Sequence, residues 1–264
     1  MITFGRNRAV AAVLAGWLGV VLVLSGCSLG LFGEEQLSGG CGIAVDGSPS
    51  ADAETGFDAG AETERTVEKF LFDAGCKQLV FAPISGASPM NRCNAEPMDL
   101  DPEISSGTDR VQVRASLRGQ ALAASLELLD CIRTDPPSVQ GSDILGGLAT
   151  LARSRPDGSD PYRLLVISDF AAWGPEGGMR NRDLSTPELR SQLIAEYAAD
   201  GRLPDLSGAE VSTAGFGLLF SDDPRRFAGF EAFWNELMRE HAGCASFGPV
   251  GTDGGGSAAG RPDR

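Results

Sequence analysis

The chain has 264 residues, with 22 Lys and Arg against 36 Asp and Glu, and a net charge of −14. This length suits one domain of ordinary size with tails. The acidic balance argues against nucleic acid as a partner, because a phosphate backbone is repelled by a surface of its own sign.

The N-terminal segment has the features of a secretory signal. Arg6 and Arg8 precede an apolar run from Ala9 to Leu24, and small residues lead to Cys27. The ending LSGC resembles the lipobox of bacterial lipoproteins, which implies that Cys27 is lipidated and becomes the mature N-terminus. The alternative is an uncleaved membrane anchor in which Cys27 is incidental. Either segment places the body outside the cytoplasm.

The first half of the body predicts two helices and three strands. In chain order these are a strand at 41–45, a helix at about 62–74, strands at 78–83 and 109–115, and a helix at about 119–133. The first strand is wholly apolar, as in the centre of a parallel sheet. The alternation in 109–115 predicts a strand with one wet face, and residues 85–107 predict a long loop.

The second half continues the alternation of helix and strand. It predicts a helix from about Ser142, a strand at 162–168, a helix from Ser185 to Gly201, a strand at 209–216, a helix from Ser221 and a short strand at 244–250. The helix at Ser185 opens with a hydroxyl cap and an early proline. The helix at Ser221 opens with acidic residues that suit its dipole.

The regular alternation predicts an α/β fold with a doubly wound, mostly parallel sheet and helices on both faces. Right-handed crossovers then bring all the strand-to-helix loops to one edge of the sheet, where a ligand crevice is expected. The predicted organisation is a signal peptide at 1–26, a flexible tether at 27–40, the domain at 41–249 and a disordered tail at 250–264.

Five cysteines follow Cys27, and none of them forms a C-x-x-C pair. They are Cys41, Cys76, Cys93, Cys131 and Cys244. This spacing does not indicate zinc, and an oxidising compartment favours disulfides. Because five is odd, at most two bridges form and one thiol is left over. The pairing is open at this stage.

Carboxylates and hydroxyls follow the predicted strands at the expected crevice. Asp46, Ser48 and Ser50 come directly after the first strand, Asp169 follows the strand at 162–168, and Ser142 opens the helix before that strand. These hard oxygen ligands suit Mg²⁺, or else Mn²⁺ or Ca²⁺. The sequence therefore predicts a divalent-metal site built from these five residues.

Three motifs in this order resemble those of von Willebrand factor type A domains. The stretch at 46–50 is D-x-S-x-S, residues 141–148 read GSDILGGL, and residues 167–170 read ISDF. In the second motif Ser142 replaces the threonine of the family pattern and keeps a hydroxyl. In the third Phe170 replaces a glycine, which we expect to reshape the loop and to narrow access to a metal.

The resemblance covers about residues 40–249 and implies a metal-ion-dependent adhesion site. It implies Ser48, Ser50 and Ser142 as direct ligands, with Asp46 and Asp169 acting mostly through bound waters. An open coordination position would then take an acidic group from a protein partner. A protein of this charge would bind that carboxylate only through the metal, because its own field repels it.

Several plainer interpretations compete with the metal site. The D-x-S-x-S stretch could be only a turn, and Ser142 and Asp169 could be helix caps. Trp173, in the loop beside the site, is either a core residue or, if exposed, a contact for a partner. The only histidine, His241, is expected to be structural, and nothing near it resembles a nucleophile elbow.

The sequence therefore predicts a lipid-anchored protein at the extracytoplasmic face of the cell membrane. Its domain is expected to bind a protein partner through a divalent metal and not to be an enzyme. One alternative is an envelope scaffold that binds partners without metal, with Phe170 as the sign of a degenerate site. Another is a metal-assisted hydrolase that uses Asp46 and Asp169.

Overall fold

The computed structural model describes residues 37–52, 57–86, 88–134, 141–172 and 178–251. The strands in these ranges are β1 (Gly40–Asp46), β2 (Gln78–Ile84), β3 (Met98–Asp99), β4 (Tyr162–Ile167), β5 (Glu210–Ala214) and β6 (Ser246–Pro249). They form one sheet in the order β3-β2-β1-β4-β5-β6. All neighbouring strands are parallel except β2 and β3. This order is that of a doubly wound α/β fold, so the predicted fold class is confirmed.

Helices cover both faces of the sheet. Those in the described ranges are α1 (Ala59–Ala74), α2 (Arg110–Thr134), α3 (Ile144–Arg153), α4 (Pro187–Ala199) and α5 (Pro224–Glu236), and α5 continues into a π-helical turn over Leu237–His241. Across the part of the chain that the structure describes, every helix is too short or too polar to cross a membrane.

The central strands are buried on both sides because successive side chains enter two different cores. Ile43 and Val45 of β1 belong to the core formed with α1 and α2. Ala44 belongs to the core formed with α3, α4 and α5. A strand between two helical layers has no polar face, which explains its continuous apolar sequence. The two layers leave the carboxyl edge of the sheet to the loops.

The predicted strand at 109–115 is wrong, because residues 110–115 belong to α2. Asp109 starts the helix, and its carboxylate accepts a hydrogen bond from the backbone N–H of Gln112 at 3.2 Å. The valine alternation is too short to define a sheet face, and Val111 is 73% exposed. Strong helix formers follow Asp109, and they outweigh the alternation. The edge strand β3 lies instead within the predicted loop at 85–107.

Two disulfides join segments that are distant in the sequence. Cys41 in β1 is bonded to Cys76 before β2, and Cys93 is bonded to Cys131 in α2. Among the cysteines in the described ranges, Cys244 is free and buried. The expectation of two bridges with one thiol left over is thus confirmed for the body of the protein.

Several predicted features lie outside the described residues. They include the signal segment at 1–26, the lipidation residue Cys27, the tether up to residue 36, Trp173 in the loop after β4, and the tail from residue 252. These features stay predictions. His241, by contrast, is described and exposed at the end of the π-helical turn.

A candidate metal centre at the carboxyl edge of the sheet

Asp46 collects hydrogen bonds from three separate segments at the carboxyl edge of the sheet. It is the last residue of β1, and its side chain is fully buried. Its carboxylate accepts from the backbone N–H of Ser48 at 2.9 Å, from the Ser142 hydroxyl at 2.9 Å and from the Ser168 hydroxyl at 2.6 Å. We call Asp46, Ser48, Ser142 and Ser168 the Asp46 cluster.

A simple turn does not explain the Asp46 cluster. The bond from the Ser48 N–H is the local contact that an aspartate makes in a turn. The two hydroxyl donors, however, lie 96 and 122 residues further along the chain. They reach Asp46 because the fold brings the starts of these loops to the same edge. The turn interpretation therefore accounts for one of the three bonds.

The hydroxyls of Ser48 and Ser50 lie together on the outer side of the cluster. Their oxygen atoms are 3.1 Å apart and share a hydrogen bond. Ser48 is buried, whereas Ser50 is half-buried. The D-x-S-x-S spacing thus places one hydroxyl beside the buried carboxylate and the next one closer to solvent.

Ser142 is not the cap of the following helix. The N-cap of α3 is Asp143, whose carboxylate accepts from the backbone N–H of Gly146 at 3.1 Å. This leaves the Ser142 hydroxyl free to donate to Asp46, and a hydroxyl that donates one proton keeps its lone pairs for another partner. Asp143 therefore caps α3, and Ser142 is not needed as a cap.

Asp169 lies beside the cluster and accepts hydrogen bonds from nearby backbone groups. It is buried at 2% exposure, directly after Ser168. Its carboxylate accepts from the backbone N–H of Ala171 at 2.9 Å, and its carbonyl accepts from the N–H of Gly217 at 3.1 Å. The next helix, α4, is capped by Thr186, so Asp169 is not a helix cap.

Phe170 holds the backbone conformation that its position requires without covering the cluster. Its φ is 60°, and it is the only residue other than glycine with positive φ in the described ranges. Its ring is fully buried against Phe216, Trp234 and Phe247, with centroids 5.0–5.8 Å away. The glycine-like turn is therefore kept, and the ring fills the core instead of narrowing access to the site.

Ser168 is the member of the cluster that sequence reasoning missed. It donates to Asp46 at 2.6 Å and accepts from the backbone N–H of Phe170 at 3.0 Å. It thus links the buried carboxylate to the strained turn. The available signal was its place one residue beyond β4, which pairs with β1 so that Val45 lies opposite Ile167. Identifying Ser168 required the register between β1 and β4, two strands that are more than 100 residues apart in the sequence.

The charged form of the Asp46 carboxyl is disfavoured in this buried position. Burial raises its pKa above the ordinary value of 3.8, and the hydrogen bonds from Ser168, Ser48 and Ser142 offset this effect only in part. A nearby cation would remove the cost because it stabilises the charged form. The site is thus electrostatically prepared for a positive ligand.

The donor set fits a hard divalent cation that retains some of its waters. The hydroxyls of Ser142 and Ser168 contact the Asp46 carboxylate, and Mg²⁺ is commonly bound by one or two carboxylates with several waters. Among the described residues there is no group of three or more His, Cys, Asp and Glu side chains that could hold a metal. Among the described residues, the hydroxyls of Ser48, Ser50 and Ser142 are the oxygen donors that could complete a metal site with the carboxylates of Asp46 and Asp169.

Comparisons with protein-family models and with curated proteins give no relative from which a function could be carried over. No protein-family model matches the sequence, and no curated protein matches it either. The fold and the geometry of the Asp46 cluster are therefore the grounds for a functional proposal.

Proposed function

We propose that this protein is a lipoprotein anchored at the extracytoplasmic face of the cell membrane, and that its von Willebrand A-like domain binds a protein partner through a divalent cation. The supporting observation is the convergence of the Ser142 and Ser168 hydroxyls on the buried carboxylate of Asp46. Mg²⁺ is the favoured ion, with Mn²⁺ or Ca²⁺ as substitutes.

The residues of the site have distinct roles in this proposal. Ser48, Ser50 and Ser142 supply hydroxyl oxygens to the cation. Asp46 supplies charge and holds Ser142 in position, and Asp169 adds a second carboxylate at the same edge. When bound, the cation offers a positive charge to an acidic group of the partner, which an acidic protein could not otherwise attract.

Exposed apolar side chains on two turns at the same edge of the sheet support a protein as the partner. Met90 follows β2 and is 77% exposed, and Leu218 follows β5 and is 44% exposed. The Met90 turn contacts the residue that follows Ser142, because the Ser88 hydroxyl donates to the carbonyl of Asp143 at 2.7 Å. The residue before the Leu218 turn contacts Asp169, because the backbone N–H of Gly217 donates to the Asp169 carbonyl. Apolar residues beside a charged site are typical of protein interfaces.

The buried position of Asp46 favours binding over hydrolysis. A general base needs a lone pair within reach of the proton that it removes. The Asp46 carboxylate is fully buried and already accepts three hydrogen bonds. The scaffold alternative takes Phe170 as the sign of a degenerate site, but the Phe170 ring packs in the core against Trp234.

Removal of the apolar side chains is expected to weaken partner binding and to leave the metal site unchanged. In a pull-down from envelope extract with the full chain as bait, Met90→Ser and Leu218→Ser should each lower partner affinity by about fivefold, the effect of losing about 1 kcal/mol of contact energy. Wild-type binding should be released by EDTA.

Phe72→Ser is the matched control for these two variants. Phe72 is 63% exposed near the end of α1, at the opposite edge of the sheet. Its replacement should leave capture unchanged. Equal capture with Mg²⁺ and with EDTA would support the metal-independent scaffold and oppose the proposal.

A further inference from the structure

A second site lies between the segment after β4 and the start of α5. A cavity of about 440 Å³ is lined there by Arg182, Leu184, Phe220, Arg225 and Phe230, among other residues. This volume falls within the range of small-ligand sites. The cavity shares no residue with the Asp46 cluster.

The rim of the cavity is positive although the protein as a whole is strongly negative. Arg182, Arg225 and Arg226 line it, with Asp183 as the only acidic lining residue. Arg182 faces Glu196 at 3.7 Å, but both side chains are 44% exposed, so this pair holds the guanidinium weakly. The Arg225 side chain has no ion-pair or hydrogen-bond partner among the described residues. The rim therefore has positive charge to offer to a ligand.

Helix stability does not explain the two arginines of α5. Asp223 is the N-cap and Pro224 opens the helix, so Arg225 and Arg226 lie in the first turn. Cations in the first turn are disfavoured by the helix dipole. Residues that oppose a local rule of this kind are expected at functional sites.

The floor of the cavity is apolar. The rings of Phe220 and Phe230 lie 4.8 Å apart, and the Arg226 guanidinium lies over the Phe220 ring at 4.9 Å. Gly229 lets the chain at Leu184 approach α5 closely, because a Cβ at position 229 would lie 2.7 Å from the Leu184 carbonyl oxygen. A positive rim over an aromatic floor suits a ligand that combines an anionic group with an apolar one.

We propose that this cavity binds a peptide segment of the partner in which acidic residues flank an apolar side chain. The turn at Leu218–Phe220 connects the cavity with the edge of the sheet that carries Asp169, since it follows Gly217, whose backbone N–H donates to the Asp169 carbonyl, and it places Phe220 in the cavity. A peptide is favoured over a free anion by this continuity and by the aromatic floor. The inference rests on the proposed function only in taking the partner to be a protein, since the cavity itself needs no metal.

The test measures peptide binding to the full chain in detergent micelles by fluorescence anisotropy, with EDTA present throughout. The probe is a fluorescein-labelled peptide of sequence Asp-Leu-Asp, and its uncharged analogue is Asn-Leu-Asn. We expect saturable binding of the acidic peptide, at least about tenfold weaker binding of the analogue, and about tenfold weaker binding of the acidic peptide to Arg225→Gln.

Arg153→Gln is the matched control, because Arg153 is an exposed arginine at the end of α3, at the other edge of the sheet. It should bind the acidic peptide like the wild type. Equal binding of both peptides, equal losses in the two variants, or full competition by inorganic phosphate at the concentration of the peptide would each overturn the proposal. Peptide binding in EDTA, together with a melting temperature of the full chain that Mg²⁺ leaves unchanged in a separate thermal denaturation, would uphold the cavity and reject the metal site, so the two failures are distinguishable.

Discussion

Asp46→Asn is expected to stabilise the metal-free protein at neutral pH and to remove most of its stabilisation by Mg²⁺. Asparagine keeps an acceptor for the Ser48 N–H, and its amide can donate to the hydroxyls of Ser142 and Ser168. The substitution therefore removes a buried charge without leaving a polar group unpaired. Each unit by which the pKa of Asp46 is raised corresponds to about 1.4 kcal/mol of this gain.

The difference in stability between the Asp46→Asn variant and the wild type depends on pH, and its dependence follows from the direction of the pKa shift of Asp46. Burial raises the pKa of Asp46 in the folded state above the ordinary value of 3.8. Below that ordinary value the carboxyl is protonated in both folded and unfolded chains, so the cost of the buried charge is absent. The cost grows as the pH rises from 3.8 to the raised pKa and is constant above it. The stability advantage of the Asp46→Asn variant should thus be largest at neutral pH and should disappear in acid.

With Mg²⁺ bound, the wild type should be more stable than the Asp46→Asn variant, the reverse of their order without metal. At a concentration about 100 times its dissociation constant, an ion that binds only the folded protein adds about 2.7 kcal/mol. For a chain of this size that is a rise in melting temperature of about 5–10 °C. Thermal denaturation of the full chain, with Mg²⁺ and with EDTA, measures both effects.

Asp143→Asn is the control for a change of charge beside the site. Asp143 is one residue from Ser142, and asparagine caps α3 as well as aspartate does. This variant should respond to Mg²⁺ like the wild type. An Asp46→Asn protein with an unchanged Mg²⁺ response would contradict the role given to Asp46.

Phe170→Ala is expected to lower the free energy of unfolding by about 3–5 kcal/mol, because it empties a fully buried aromatic position. Phe170→Gly removes one more carbon but should cost about 1 kcal/mol less than Phe170→Ala. The reason is the φ of 60°, which costs an alanine about 1–2 kcal/mol and costs glycine nothing. Urea denaturation of the three proteins measures the differences.

Phe230 provides the matched pair for this comparison. It is also buried, at 1% exposure, but it lies within α5, where the backbone is helical. At this position the glycine variant should be less stable than the alanine variant by about 1 kcal/mol, the reverse of the order at Phe170. The same order at both positions would show that the turn at Phe170 is not strained.

Phe170 also connects stability with the candidate site. Its backbone N–H donates to Ser168, which in turn donates to Asp46. Strained residues other than glycine are found where surrounding structure over-determines them, and functional sites are common among such places. The aromatic core that buries the ring thus maintains a turn that positions part of the Asp46 cluster.

The layered fold was predictable because each strand and helix has its own apolar period. The apolar run at 41–45 indicated a central strand, and Ser142 contacts Asp46 at the edge of the sheet where the sequence predicts both residues. The local sequence pattern gave the wrong prediction at 109–115, because a brief alternation of apolar residues there was outweighed by strong helix formers. The contact between Ser168 and Asp46 was not predicted, because it depends on how β1 and β4 align and not on the sequence of either strand alone.

The departure at Phe170 could not be interpreted from the sequence for a related reason. A phenylalanine in place of glycine suggests an altered loop. Whether Phe170 keeps the backbone conformation of a glycine, however, depends on what its ring can pack against. Phe216, Trp234 and Phe247 come from distant segments and meet at Phe170 only in the folded protein. The core therefore compensates for a residue that is locally unfavourable.

A Mn²⁺ titration of the full chain in detergent micelles, followed by NMR, is the most direct measurement of the metal site. Paramagnetic Mn²⁺ broadens the amide signals of residues close to it. Selective broadening at Ser48, Ser142 and Asp169 at substoichiometric Mn²⁺, reversed by excess Mg²⁺, is the expected result. Diffuse broadening over the acidic surface, with these three amides unaffected, would show that no cation is held at the Asp46 cluster.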